Sequence, residues 1–131
     1  MKSMEIIKGL ESGLASKVIG CAIEVHRHLG PGLLESAYES CLCRELTIQG
    51  IPFMCQVPLE LIYKGERINC VYRLDMVVDR KLLLELKSVE LLQSIHQAQI
   101  ISYLKLSGLK QGLLINFNSR FLKDGIKSFL N

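Results

Sequence analysis

Two apolar runs split by three polar residues constrain this chain more than any other feature: Leu74 to Val78, then Asp79-Arg80-Lys81, then Leu82 to Leu86. Each run is short and the break suits a hairpin loop, so the pair reads as two antiparallel strands. A loop centred on Arg80 sets Asp75 opposite Glu85. Directly opposed residues share a sheet face, and so do residues two apart on one strand. Asp75, Glu85 and Lys87 therefore converge on one face of a sheet built otherwise from Leu, Val and Met. An unpaired buried charge is expensive, so three in apolar strands need a reason. In the plainer reading they form a structural ion pair or lie on a solvated edge. In the sharper one, two carboxylates hold a divalent cation with a lysine beside it. Magnesium takes oxygen ligands and keeps several waters, so two carboxylates from the protein suffice. A nearby ammonium can orient a water or stabilise charge developing on phosphorus. The polar helix that follows favours the sharper reading.

That helix starts between Val89 and Ser94 and ends near Gly108, a natural stop. His96, Gln99 and Tyr103 fall on one stripe of it, and Gln97 points the other way. Upstream, Met4 to His28 reads as one long helix with a break near Gly13, its apolar stripe carrying Ile19, Ala22, Ile23 and His26. Leu29-Gly30-Pro31-Gly32 breaks the chain, and a second helix follows from Leu33 to Gln49. Glu35 and Tyr38 share a face of its first turn, where a glutamate also suits the helix dipole. After Pro52, alternation through Val57, Leu59, Leu61 and Tyr63, a Lys64-Gly65-Glu66 turn, and the run from Ile68 to Val78 give an antiparallel meander of three strands. Arg73, two before Asp75, reads as a phosphate contact or as the ion-pair partner of Asp75 or Glu85. Gly112 to Phe117 is expected to form a buried strand and Ser119 to Leu130 a short terminal helix.

Composition excludes some classes. The length suits one domain over residues 1–131 with a proper core. A net charge of +3 permits nucleic-acid binding without demanding it. No stretch is long and apolar enough to cross a membrane, and the acidic residues in MKSMEIIKGLESG are unlike a signal peptide, so a cytoplasmic location is expected. Five cysteines, an odd number, then read as reduced thiols filling apolar space. Cys41 and Cys43 diverge on a helix and make a poor metal pair.

Asp75, the Glu85-x-Lys87 pair and Gln99-x-x-x-Tyr103 resemble the PD-(D/E)XK nuclease superfamily, especially its RecB-like and exonuclease-like branches. Gly32-Leu33-Leu34-Glu35-Ser36-Ala37-Tyr38 is similar to the motif that names the GxxExxY protein family, as are VHRHLGPG, HQAQIISYLK and GLLINF. The resemblance implies an α/β fold with a restriction-endonuclease-like core, a small mixed sheet flanked by helices. It implies a metal-dependent nuclease acting on nucleic acid, DNA favoured, with Mg2+ or Mn2+ on Asp75 and Glu85. Lys87 would position the attacking water, Glu35 would complete the acidic shell, and Gln99 and Tyr103 would support it. His26 ranks below Glu35 as a site residue and His28 below both. A homodimer would let two sites address two strands. The competing class is a non-catalytic module that keeps the fold and binds nucleic acid or a protein.

Overall fold

The computed structural model describes residues 13–131, with the side chains of 70 and 71 excepted. Most of the expected first helix falls within it, as α1 (Leu14–Leu29); the part before Gly13 lies outside the described residues. Then come α2 (Glu35–Ile48), β1 (Phe53–Tyr63), β2 (Glu66–Val78), β3 (Leu82–Lys87), α3 (Ser94–Ser107), β4 (Gln111–Asn116), a 3-10 turn (Leu122–Gly125) and β5 (Ile126–Leu130). The five strands lie side by side in sequence order. β1, β2 and β3 form the expected antiparallel meander. α3 then carries the chain across to β4, which runs parallel to β3, and β5 returns antiparallel. The sheet is small and mixed, with helices on both faces, as the resemblance implies.

Each face is sealed by an apolar cluster, because burying such surface is the main favourable term in folding. Val18, Ala22 and Val25 of α1 and Leu42 and Leu46 of α2 pack on Met76, Leu84, Leu86 and Ile115. On the other face Ile100 and Leu104 of α3 pack on Leu83, Leu114 and Val77. Leu83 between Leu84 and Leu82 shows the period-two alternation that splits β3 between the two clusters.

Two departures from expectation matter. The terminal helix predicted over Ser119 to Leu130 is instead one 3-10 turn followed by β5. Ile126 and Ser128 are buried while Lys127 and Phe129 are only partly so, a period of two, and the open edge of β4 offers ladder partners that a helix could not use. Gly125 permits the turn, since a Cβ there would lie 2.5 Å from the Asn116 carbonyl oxygen. The second departure lies inside the hairpin. Phe53 and Cys55 pack on the α1–α2 side while Val57 and Leu59 pack on the α3 side. Opposite them, Met76 and Val78 lie on the first side and Leu74 on the second. Strict alternation would keep each set together, so both strands roll over at the level of Gln56 and Asp75. Gln56 sits at φ 52°, a left-handed conformation uncommon outside glycine.

Candidate active site

Asp79 and Arg80, at φ 50° and 58°, form the hairpin turn, and Lys81 N–H donates to Val78 O across them at 3.0 Å. That turn fixes the register: Val78, Val77 and Met76 stand opposite Leu82, Leu83 and Leu84. One step further, Asp75 and Glu85 face each other as the sequence predicts, but there the backbone ladder stops. The carboxylates replace it. Asp75 N–H donates to Glu85 Oε2 at 2.9 Å, and Leu86 N–H donates to Asp75 Oδ2 at 2.8 Å. The two strands fork at this level, and two acids sit in the fork.

Their electrostatics follow from burial. Glu85 is 3% exposed. Loss of solvation, then the neighbouring Asp75 charge, push its pKa up to about 8, against smaller opposing effects of the Asp75 N–H bond and Lys87. Burial also raises Asp75, which the Leu86 N–H and Lys87 partly offset. Neither acid takes part in an ion pair among the described residues, which instead pair Glu24, Glu60 and Asp79 with nearby cations. The structural ion pair of the plainer reading is therefore not formed.

Lys87 comes next on β3. Its Nζ donates to Gln99 Oε1 at 3.2 Å, and Gln99 Nε2 donates to Tyr103 Oη at 3.1 Å. Tyr103 is nearly buried, and its ring meets Tyr72 with centroids 6.0 Å apart. Helical spacing on α3 thus delivers a continuous relay that aims the ammonium. His96, on the same stripe, is used otherwise: its Nδ1 accepts from Gln93 N–H at 3.0 Å and caps the helix.

From the other face, α2 contributes through the Gly32 to Tyr38 motif. Gly32, at φ 100°, turns the chain into the helix. Tyr38 is fully buried, donates to Gly30 O at 2.6 Å, accepts from Leu33 N–H at 3.1 Å and stacks on Phe117 at 4.5 Å. It is the clamp of this turn. Glu35, left exposed at the helix start, accepts from Ser88 N–H at 3.3 Å, one residue past Lys87. Ser88 Oγ donates to Leu33 O at 2.6 Å, so the loop after β3 is fastened to this turn.

Sequence reasoning missed two residues. Glu39 lies one turn beyond Glu35; its Oε1 accepts from Gln56 Nε2 at 3.0 Å, and burial, then Asp75 and Glu35, raise its pKa against that bond. The i, i+4 spacing from Glu35 was the available signal. Asn116, buried in the apolar run of β4, accepts from Val89 N–H at 3.0 Å and donates to Val89 O at 2.9 Å. It pins the segment that follows Lys87, and a lone amide within Leu-Leu-Ile-Asn-Phe was its signal.

Other candidates resolve simply. His26 Nε2 donates to Ser119 O at 2.7 Å, and His28 pairs with Glu24 at 2.8 Å, so neither joins the acids. Arg73 is not the ion-pair partner of Asp75 or Glu85: it is exposed and reaches Gln56 O at 3.4 Å, because the strand rolls over between it and Met76. Cys21, Cys41, Cys43 and Cys55 are free thiols against the core. Cys43 and Cys55 lie 3.3 Å apart, and burial pushes the Cys55 thiol up to about 12.

Among the described residues, no group of three or more His, Cys, Asp or Glu is gathered closely enough to enclose a metal ion. The pair in the fork nevertheless fits a hard divalent cation. Their protein hydrogen bonds engage Oδ2 of Asp75 and Oε2 of Glu85, which leaves Oδ1 and Oε1 for a ligand. Among the described residues no helix is long and apolar enough to cross a membrane. A family model described as the PD-(D/E)XK nuclease superfamily matches residues 12–129. No curated protein and no solved structure matches the chain.

Proposed function

Because this chain belongs to the PD-(D/E)XK nuclease superfamily, we propose that it is a metal-dependent nuclease that hydrolyses phosphodiester bonds, DNA favoured, with Asp75, Glu85 and Lys87 carrying the chemistry. One observation carries the reading: two opposed carboxylates, Glu85 buried and Asp75 half-buried, with no ion-pair partner among the described residues, beside a lysine aimed by its own relay. Isolated buried charge is costly, and a bound cation removes that cost. Asp75 Oδ1 and Glu85 Oε1 would hold Mg2+ or Mn2+, which when bound supplies Lewis-acid stabilisation of the phosphoryl charge.

The chain's own groups do the rest. Lys87 Nζ, held by Gln99, orients the attacking water and offsets charge on the phosphate oxygens. The water oxygen forms the new bond to phosphorus as the bond to the leaving alkoxide breaks, and that alkoxide ends with the proton. Glu35, at the open rim, completes the acidic shell by hydrogen-bonding water. Gln99 and Tyr103 act as positioning residues on Lys87.

The test is a cleavage assay with magnesium and with manganese on single- and double-stranded DNA and RNA. It compares wild type with Asp75→Asn and Lys87→Ala. Cutting by wild type alone supports the reading. Equal cutting by all three exposes a contaminant, and intact substrates throughout, with no metal binding that depends on Asp75, sink it. A non-catalytic module is the second reading, favoured by the lack of a three-ligand cluster among the described residues. It expects salt-sensitive binding without turnover.

A further inference from the structure

β3 and β4 are parallel, so the loop leaving β4 starts beside Lys87: Asn116 pairs with Lys87, and Phe117 N–H donates to Lys87 O at 2.9 Å. The His26 bond to Ser119 O ties the end of α1 to that loop. Between them lies a groove of about 490 Å³ on the same end of the sheet as the acids. Ile23 and the buried Leu122 line its apolar part. Arg27, Arg120 and Lys123 bring positive charge. Asp124 also lines it, and Arg27 is held by Glu24 at 3.3 Å. Arg120 and Lys123 enter no ion pair among the described residues. Phe121 stands between them in sequence, 61% exposed, with the Arg120 guanidinium 5.2 Å from its ring centre.

Phe121 is left mostly in water beside two cations that enter no ion pair among the described residues. The combination does suit a nucleotide unit, which offers an anion and a flat apolar face together. In a duplex those faces are already stacked, so stacking on a side chain selects an unpaired base. We propose that this groove is a subsite for single-stranded nucleic acid, in which Arg120 and Lys123 hold a backbone phosphate and one base stacks on Phe121. The proposal rests on the nuclease reading and adds the form of the substrate: a single strand or a frayed end, gripped at the same sheet end as the fork.

Binding can be read without catalysis. Fluorescence anisotropy in EDTA at low salt would use a labelled oligothymidylate about a dozen nucleotides long. A hairpin duplex of equal length is the comparison. The proteins are wild type, Phe121→Ala, the Arg120→Gln/Lys123→Gln double variant, and Arg67→Gln on the distant β1–β2 arm. All substituted side chains are exposed, and circular dichroism checks that each variant folds. Phe121→Ala is expected to weaken single-strand binding about 5- to 100-fold. The double variant should bind more weakly with a shallower salt dependence, by about 0.7 per lost contact. Arg67→Gln should match wild type, and the hairpin should bind more weakly than the single strand. Wild-type affinity in both groove variants overturns the subsite and leaves the nuclease reading intact. Absence of single-strand binding by wild type, or tighter hairpin binding that ignores Phe121→Ala, also overturns it. Loss of binding in the variants with no metal-dependent cleavage by wild type keeps the subsite and sinks the nuclease reading.

Discussion

Glu85→Gln in metal-free protein isolates the energetic claim behind the fork. Glutamine keeps the shape and an amide oxygen to accept from Asp75 N–H, and removes only the charge. A folded pKa of about 8 against an ordinary 4.5 corresponds, at about 1.4 kcal/mol per unit, to roughly 5 kcal/mol in full, so a loss on the order of 3–5 kcal/mol is expected. That is a large share of the ~5–15 kcal/mol stability of an ordinary domain. The sign follows from proton counts. With its folded pKa raised, Glu85 holds its proton in the native state while the unfolded chain releases it. Wild-type stability is thus intact below about pH 4.5, falls as pH rises towards 8, and levels off above. Urea melts in EDTA from about pH 5 to about pH 9 should show wild type losing ground to Glu85→Gln over that window. Excess magnesium near pH 9 should restore wild type and leave the variant unchanged. If the gap between the two proteins stays constant across the range, Glu85 is not destabilised by burial, and the case for a cation in the fork fails.

Asn116→Ala should destabilise the protein by about 1–3 kcal/mol, because it strands Val89 N–H and leaves Val89 O only the longer bond from Asn118 Nδ2 at 3.3 Å; a wild-type urea midpoint would mean that the segment after Lys87 is held elsewhere. Arg80→Gly should raise stability by about 0.5–1 kcal/mol, since Arg80 occupies φ 58°; a lower midpoint would refute the turn geometry. Cys55, lifted from 9.0 to about 12, should present about a thousandfold less thiolate than an unshifted thiol. Its iodoacetamide labelling near neutral pH, followed by mass spectrometry, should be correspondingly slow. Labelling of Cys55 at the rate of a free thiol would contradict its burial.

The hairpin register was legible because a short polar loop between alternating runs admits few pairings, and Asp75 met Glu85 as expected. The Lys87–Gln99–Tyr103 relay was legible because helical spacing is rigid. The rollover at Gln56 was not, since nothing in a glutamine signals φ 52°. β5 was missed because IKSFL is too short to show its period, and the edge of β4 that recruits it is a tertiary fact. Glu39 carried the right spacing, but which side of α2 turns towards Gln56 is decided by packing. Arg27 and Arg120 share a groove although far apart in the chain, so no local pattern could unite them.

Asp75 and Glu85, the proposed cation ligands, serve as rungs of the sheet, each accepting a backbone N–H that the ladder no longer claims. Fold and proposed chemistry are therefore welded at two positions, and few replacements can part them. Alanine loses the rung with the charge; lysine or a branched residue loses the rung and crowds the fork. Only the matching amide keeps an acceptor where the strand needs one while discarding the charge. Under the proposed function, a descendant of this chain that abandoned cleavage but kept its shape has one narrow exit, and its scar would be a single exchanged oxygen in the fork.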